Sequence, residues 1–214
     1  MKAIYDKLYQ FSTYIPPMDF TIHQYLLATD PAILFAAGTV QQAEQNLPKI
    51  KKILSGRELK YIFVSHIESD ECGGLSVFQK EYPSVQVICS QLAARELPGY
   101  GYYGTLAIGS SKTTLKDGNL ELQFFDYPSE VHMQSGLVCY EKNTGIFYSA
   151  DLMLRFGNGV AKTEDAVWEE EVKSIHLDYI IADGIFDNLK KQLNTIHPVW
   201  IAVGHGFCLK CADE

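Results

Sequence analysis

The stretch Tyr61-Ile62-Phe63-Val64-Ser65 runs directly into His66-Ile67-Glu68-Ser69-Asp70-Glu71, and this junction limits the fold more than any other part of the chain. A short apolar run bounded by polar residues reads as a buried strand. His66, Glu68 and Asp70 alternate, so extended backbone aims all three the same way. Gly73 and Gly74 follow and allow a tight turn into a helix. Four side chains able to bind a metal therefore crowd six positions at a strand end. The rival explanation is a charged loop in which Asp70 caps the helix.

Elsewhere the patterning alternates between strand and helix. Ile22 to Ala28 and Ile33 to Ala36 flank Thr29-Asp30-Pro31-Ala32 and predict an opening β-hairpin. Val40, Ala43, Leu47, Ile50, Ile53 and Leu54 recur at helical spacing, interrupted by Pro48. Tyr61 to Val64 is a strand, and Leu75 to Tyr82 continues a helix begun near Glu71. Val85 to Cys89 is the next strand, followed by a helical turn through Gln91 to Leu97 and an irregular Gly/Tyr-rich connection from Gly99 to Gly104. β-structure returns at Leu115, with Leu120 to Phe125, Gly136 to Tyr140 and Gly145 to Ser149, the last two hinged at Lys142-Asn143-Thr144-Gly145. Glu164 to Tyr179 reads as a helix with an acidic first turn, Phe186 to Leu193 as another, and Val199 to Val203 as the final strand. The order implies a layered αβ fold in one domain spanning 1–214.

The formal charge of -8, with scattered Lys and Arg, excludes a nucleic-acid surface. No segment has the apolar length of a membrane span, and the N-terminus lacks a secretory signal pattern. Five cysteines, an odd number, do not suggest a disulfide framework, so the expected location is the reducing cytoplasm.

Metal ligands must converge in space, and three later residues occupy suitable strand ends. His132 follows Leu120 to Phe125 after Asp126-Tyr127-Pro128; Asp151 ends Ile146-Phe147-Tyr148-Ser149-Ala150; His205 follows Trp200-Ile201-Ala202-Val203 between Gly204 and Gly206. Glycines on both sides of His205 let backbone and metal approach closely. His23 reads as a structural or outer-shell histidine, and His176 and His197 as structural or exposed. Cys208-Leu209-Lys210-Cys211 lacks the second CxxC of a thiolate iron site and reads as incidental. Tyr25, Tyr148 and Phe207 read as packing aromatics.

A strand, then His-x-Glu-x-Asp, then later His, Asp and Gly-His at strand ends resembles the ligand order of the metallo-β-lactamase fold. The hydrolases of that fold carry His-x-His-x-Asp-His and bind zinc. Glu68 in place of the second His is instead similar to the di-iron branch, the flavodiiron proteins and their oxygen-binding di-iron relatives. The resemblance implies an αβ/βα sandwich of two mixed sheets flanked by helices. It also implies that His66, Glu68 and His132 hold one iron, that Asp70, Glu71 and His205 hold the other, and that Asp151 bridges them. Flavodiiron proteins have His where this chain has Glu71. The string from Ser65 to Gly73 looks like that of stand-alone di-iron proteins, so the expectation is a chain without a flavodoxin module.

The donor set itself carries a physical argument. Three imidazoles with Glu68, Asp70, Glu71 and Asp151 would balance two divalent cations. Oxygen-rich donors suit iron or manganese better than zinc. The same anionic field keeps a bound water less acidic, which weakens a hydrolase reading. What the resemblance implies is binding or reduction of dioxygen or nitric oxide, with electrons from an external electron-transfer protein; a homodimer is left open. The alternatives are an oxygen sensor or carrier without turnover, and a zinc or manganese hydrolase of an ester, lactone or phosphoester.

Overall fold

In the computed structural model, residues 2–128, 135–176 and 184–211 are described. The first six strands, β1 (Leu8–Ile15), β2 (Phe20–Leu27), β3 (Ala32–Phe35), β4 (Leu59–Phe63), β5 (Gln86–Cys89) and β6 (Thr105–Ile108), form one sheet in chain order. β1, β2 and β3 pair antiparallel, and β3 through β6 pair parallel. The second sheet holds β7 (Thr114–Asp117), β8 (Leu120–Pro128), β9 (Ser135–Glu141), β10 (Ile146–Ala150), β11 (Thr163–Ala166), β12 (Trp200–Val203) and β13 (Cys208–Cys211). Its order is β11-β13-β12-β10-β9-β8-β7, with β10 and β12 parallel.

Alternation along the strands sends side chains into two layers at once. Ile62 and Leu34 pack outward with Ala43, Ile50 and Leu54 of α1 (Val40–Leu54) and Phe78 of α3 (Leu75–Glu81). Their neighbours Phe63 and Phe35 face the other sheet and meet Phe124, Tyr148 and Ala202. Beyond it, Phe147 and Ile201 pack with Trp168 and Val172 of α5 (Trp168–Ser174) and Leu189 of α6 (Asp187–Leu193). The result is the αβ/βα sandwich that the resemblance implies.

Most sequence-derived elements lie where expected, with informative exceptions. The α1 helix runs unbroken through Pro48 because Pro48 and Glu44 are both exposed, so water can satisfy the carbonyl that loses its donor. A capping box between Thr39 and Gln42 fixes its start. The helix expected from Glu71 to Tyr82 is two pieces, α2 (Ser69–Cys72) and α3, broken at Gly73 and Gly74, and the turn expected through Gln91 to Leu97 contains α4 (Ala93–Glu96). Strands β1, β6 and β13 are additions to the expected set. The helix expected over 164–179 is corrected: Thr163–Ala166 pair in parallel with Cys208–Cys211 as an edge strand whose Glu164 and Asp165 stay exposed. Helix α5 begins only at Trp168, and 177–183 lie outside the described residues.

Candidate metal centre

The site forms where parallel-paired strands of both sheets end. His66 stands beyond β4, Asp151 immediately after β10 and His205 just after β12, with Glu68 and Asp70 following His66. A register shift between Tyr148 and Ala150, with Ala150 at φ 45°, ends β10 and swings the chain into the turn carrying Asp151.

Asp151 is the hub. Its Oδ2 lies 3.4 Å from His66 Nε2 and its Oδ1 3.1 Å from His205 Nε2. His66 Nε2 also faces Glu68 Oε2 at 3.8 Å, and His205 Nε2 faces Asp70 Oδ2 at 3.7 Å. Donor atoms of His66, Glu68 and Asp151 lie within 4.8 Å of one another. Ligands each about 2.1 Å from one ion sit about 3–4 Å apart, so these separations suit two ions sharing Asp151.

Hydrogen bonding decides which nitrogens face the pocket. His205 Nδ1 lies 3.1 Å from the Thr21 carbonyl and must donate to it, which leaves Nε2 for the site. His66 Nδ1 is 3.3 Å from the Tyr127 oxygen, itself 3.2 Å from Ser65 Oγ. With Nδ1–H donated to Tyr127, the His66 Nε2 lone pair also faces carboxylates. Imidazole lone pairs opposed to carboxylate oxygens repel unless a proton or cation lies between them. Asp151 Oδ1 is buried and has no hydrogen-bond donor among the described residues. Burial opposes its charge, but His205 and His66 overcome that and hold its carboxyl well below the usual range. Burial likewise opposes charge on His66, yet Tyr127, Asp151 and Glu68 raise its pKa well above the ordinary value. A pocket that draws protons onto its imidazoles this way fits a cation-binding donor set.

Glu71 occupies a different position from its neighbours. Ser65 N–H donates to its Oε2 at 3.0 Å and Tyr148 O–H to its Oε1 at 2.5 Å. Full burial pushes its carboxyl up to about 7. It lies outside the His66, Glu68 and Asp151 group, and could reach an ion only by sharing an oxygen that already accepts a hydrogen bond. Tyr148 therefore serves Glu71 as well as packing with Phe35 and Phe63. Tyr148→Phe keeps the ring but strands a buried oxygen; thermal melts should show a loss of about 1–3 kcal/mol. An unchanged melt would show that Glu71 does not depend on that bond.

His132 lies outside the described residues. His176 lines the cavity of about 890 Å³ that opens over Glu68, Asp70, Asp151 and His205, beside Phe20 and Phe156. His197 is exposed and does not line this cavity. The two CxxC thiols are buried in different layers, Cys208 between the sheets and Cys211 under the helices, because i and i+3 of a strand face opposite ways. The supporting groups Thr21, Phe20, Ser65 and Tyr127 were not singled out in the sequence; Thr21 contributes a backbone carbonyl, which no side-chain pattern could reveal.

Residues 20–206, which include every ligand candidate, match the family described as ODP family beta lactamase. The chain belongs to this family. Among curated relatives of the ODP-family chain, the rubredoxin-oxygen oxidoreductase of Megalodesulfovibrio gigas is 20% identical over 212 residues, covering 94% of this chain and 52% of its own length. The nitric oxide reductase of Moorella thermoacetica is 25% identical over 143 residues, 66% of this chain and 35% of its own. The chain spans about half or less of the curated relatives it matches, from 27% to 52%. Its fold is similar to that of the rubredoxin oxygen:oxidoreductase from Desulfovibrio gigas (TM-score 0.77, 14% identity, 98% of this chain and 57% of that one). The flavodiiron protein of Giardia intestinalis is comparable (TM-score 0.75, 17% identity, 95% and 54%). These likenesses establish the metallo-β-lactamase fold. No helix among the described residues is long and apolar enough to cross a membrane.

Proposed function

We propose that this ODP-family chain holds two iron ions across Asp151 and uses them to bind and reduce dioxygen or nitric oxide. His66, Glu68 and His132 are the terminal ligands on one side; Asp70 and His205 are those on the other, with Glu71 reaching the second ion by sharing an oxygen. The observation that carries the reading is Asp151, whose two oxygens each face a histidine nitrogen from a different strand end. The carboxylate-rich donor set favours iron or manganese over zinc. Relatives named for rubredoxin-dependent oxygen reduction and for nitric oxide reduction support the substrate class.

Bound iron would supply one-electron redox chemistry and open positions for a diatomic ligand. The protein's part is to orient both histidines through Thr21 and Tyr127, to balance charge with its carboxylates, and to bury the two imidazoles. His66 and His205 are each 5% exposed, whereas Glu68 faces the cavity. Electrons would come from a separate redox protein.

The test is anaerobic loading with ferrous iron, followed by visible spectra and gas-consumption measurements on adding dioxygen or nitric oxide with a chemical reductant. Two irons per chain, a new absorption band and sustained consumption are expected. A band reversed by degassing without consumption would make the chain a carrier or sensor. Two zincs and no iron after expression without added metal would contradict the proposal.

A further inference from the structure

His23 is a buried histidine of β2, 1% exposed, beside the centre but outside its donor set. Its two nitrogens are already committed. Nε2 lies 2.6 Å from the Gly206 carbonyl, an acceptor, so that nitrogen carries the proton and donates. Nδ1 therefore accepts, and Ser12 Oγ at 2.8 Å and Gln10 Nε2 at 3.2 Å face it from β1. Ser12 is also the cross-strand partner of His23, so the ring is fixed by the register of two paired strands. With both nitrogens engaged, His23 is not a ligand.

What it grips is the loop on either side of a ligand. The His23 backbone N–H donates to the Gly204 carbonyl at 2.9 Å, and its side chain to the Gly206 carbonyl. The intervening residue is His205, which pairs with Ile22 in an isolated antiparallel bridge and donates Nδ1–H to Thr21. The Phe20 ring stacks on the His205 imidazole, centroids 4.2 Å apart. Gly206 adopts φ +86°, a left-handed conformation that glycine takes up without strain. Of these contacts, those with Thr21, Ile22 and Gly204 do not use the His23 side chain and survive its substitution; the bond to Gly206 depends on that side chain.

We infer that His23 is a positioning residue for the ligand His205, acting through the Gly206 carbonyl to aim Nε2 at Asp70 and Asp151. The inference rests on the proposed two-ion reading. Outer-shell groups that orient metal ligands typically govern affinity by about 10- to 100-fold. The effect is confined to one of the two ions, because His66 and Glu68 are carried by a different strand end.

The test compares His23→Leu and His23→Gln with the parent chain by anaerobic cobalt(II) titration followed in the visible, elemental analysis, and melting of the metal-free protein. His23→Leu should weaken one of the two cobalt equivalents by about 10- to 100-fold and leave the other within about twofold. Gln offers an amide N–H to the same carbonyl and should restore much of that loss even at a similar melting temperature. Equal weakening of both ions, tracking the melting temperature, would reduce His23 to a structural role and overturn the inference. So would unchanged binding in His23→Leu.

If the parent itself binds fewer than two ions, the two-ion reading fails, and the inference is still decided on the metal-free protein. There the Nδ1–H of His205 donates to Thr21, and its protected downfield proton resonance should shift or vanish in His23→Leu. An unchanged resonance would overturn the positioning role.

Discussion

Asp151→Asn protein should carry less than one ion per chain under conditions that load the parent with two. One carboxylate faces both histidines, so this near-isosteric change removes the shared negative charge from both positions at once. Each ion should lose at least the roughly 100-fold commonly lost with an outer-shell partner, because the proposed two-ion centre has Asp151 contact both ions directly. Glu68→Gln gives the control: among the described histidines Glu68 pairs with His66, so one equivalent should fall and the other persist. Elemental analysis after desalting reads both variants. Retention of two equivalents in Asp151→Asn would remove the bridging role.

Gly159→Ala should be the most damaging small substitution in the chain. A β-carbon there would fall 1.7 Å from the Gly206 carbonyl oxygen and 2.3 Å from its carbon, so backbone must move. The same Gly206 carbonyl receives the His23 bond, and the Gly159 amide donates to Thr21 Oγ1. Steric overpacking against rigid backbone costs about 3 kcal/mol or more. The displacement also falls on the His205 loop, so the His205-side ion should be lost before the other. Thermal melting and cobalt titration check both parts. A melting temperature within a degree or two of the parent would mean that the loop yields freely.

These effects show where local sequence carried the structure and where it did not. The β4 junction, the α1 helix and the strand ends at Asp151 and His205 were legible because each depends on neighbours in sequence: apolar runs, helical spacing, flanking glycines. β1 was missed because its burial does not alternate cleanly, although its Tyr and Phe residues suit a strand. Glu164 to Ala166 read as helical from their acidic turn, but a ladder with β13 outweighs that weak local preference. The cluster offers Glu71 as a donor but gives no means of seeing that Tyr148, distant in sequence, donates to it at 2.5 Å. Long-range partners of this kind, like the Thr21 carbonyl behind His205, exist only once the two sheets have met.

The most direct test of the central claim is anomalous diffraction at the iron edge from crystals grown anaerobically with ferrous iron. Two peaks about 3.5–4 Å apart on either side of the Asp151 carboxylate are expected, one against His66 and Glu68 and one against Asp70 and His205. A single peak, or peaks that Asp151 does not touch, would contradict it.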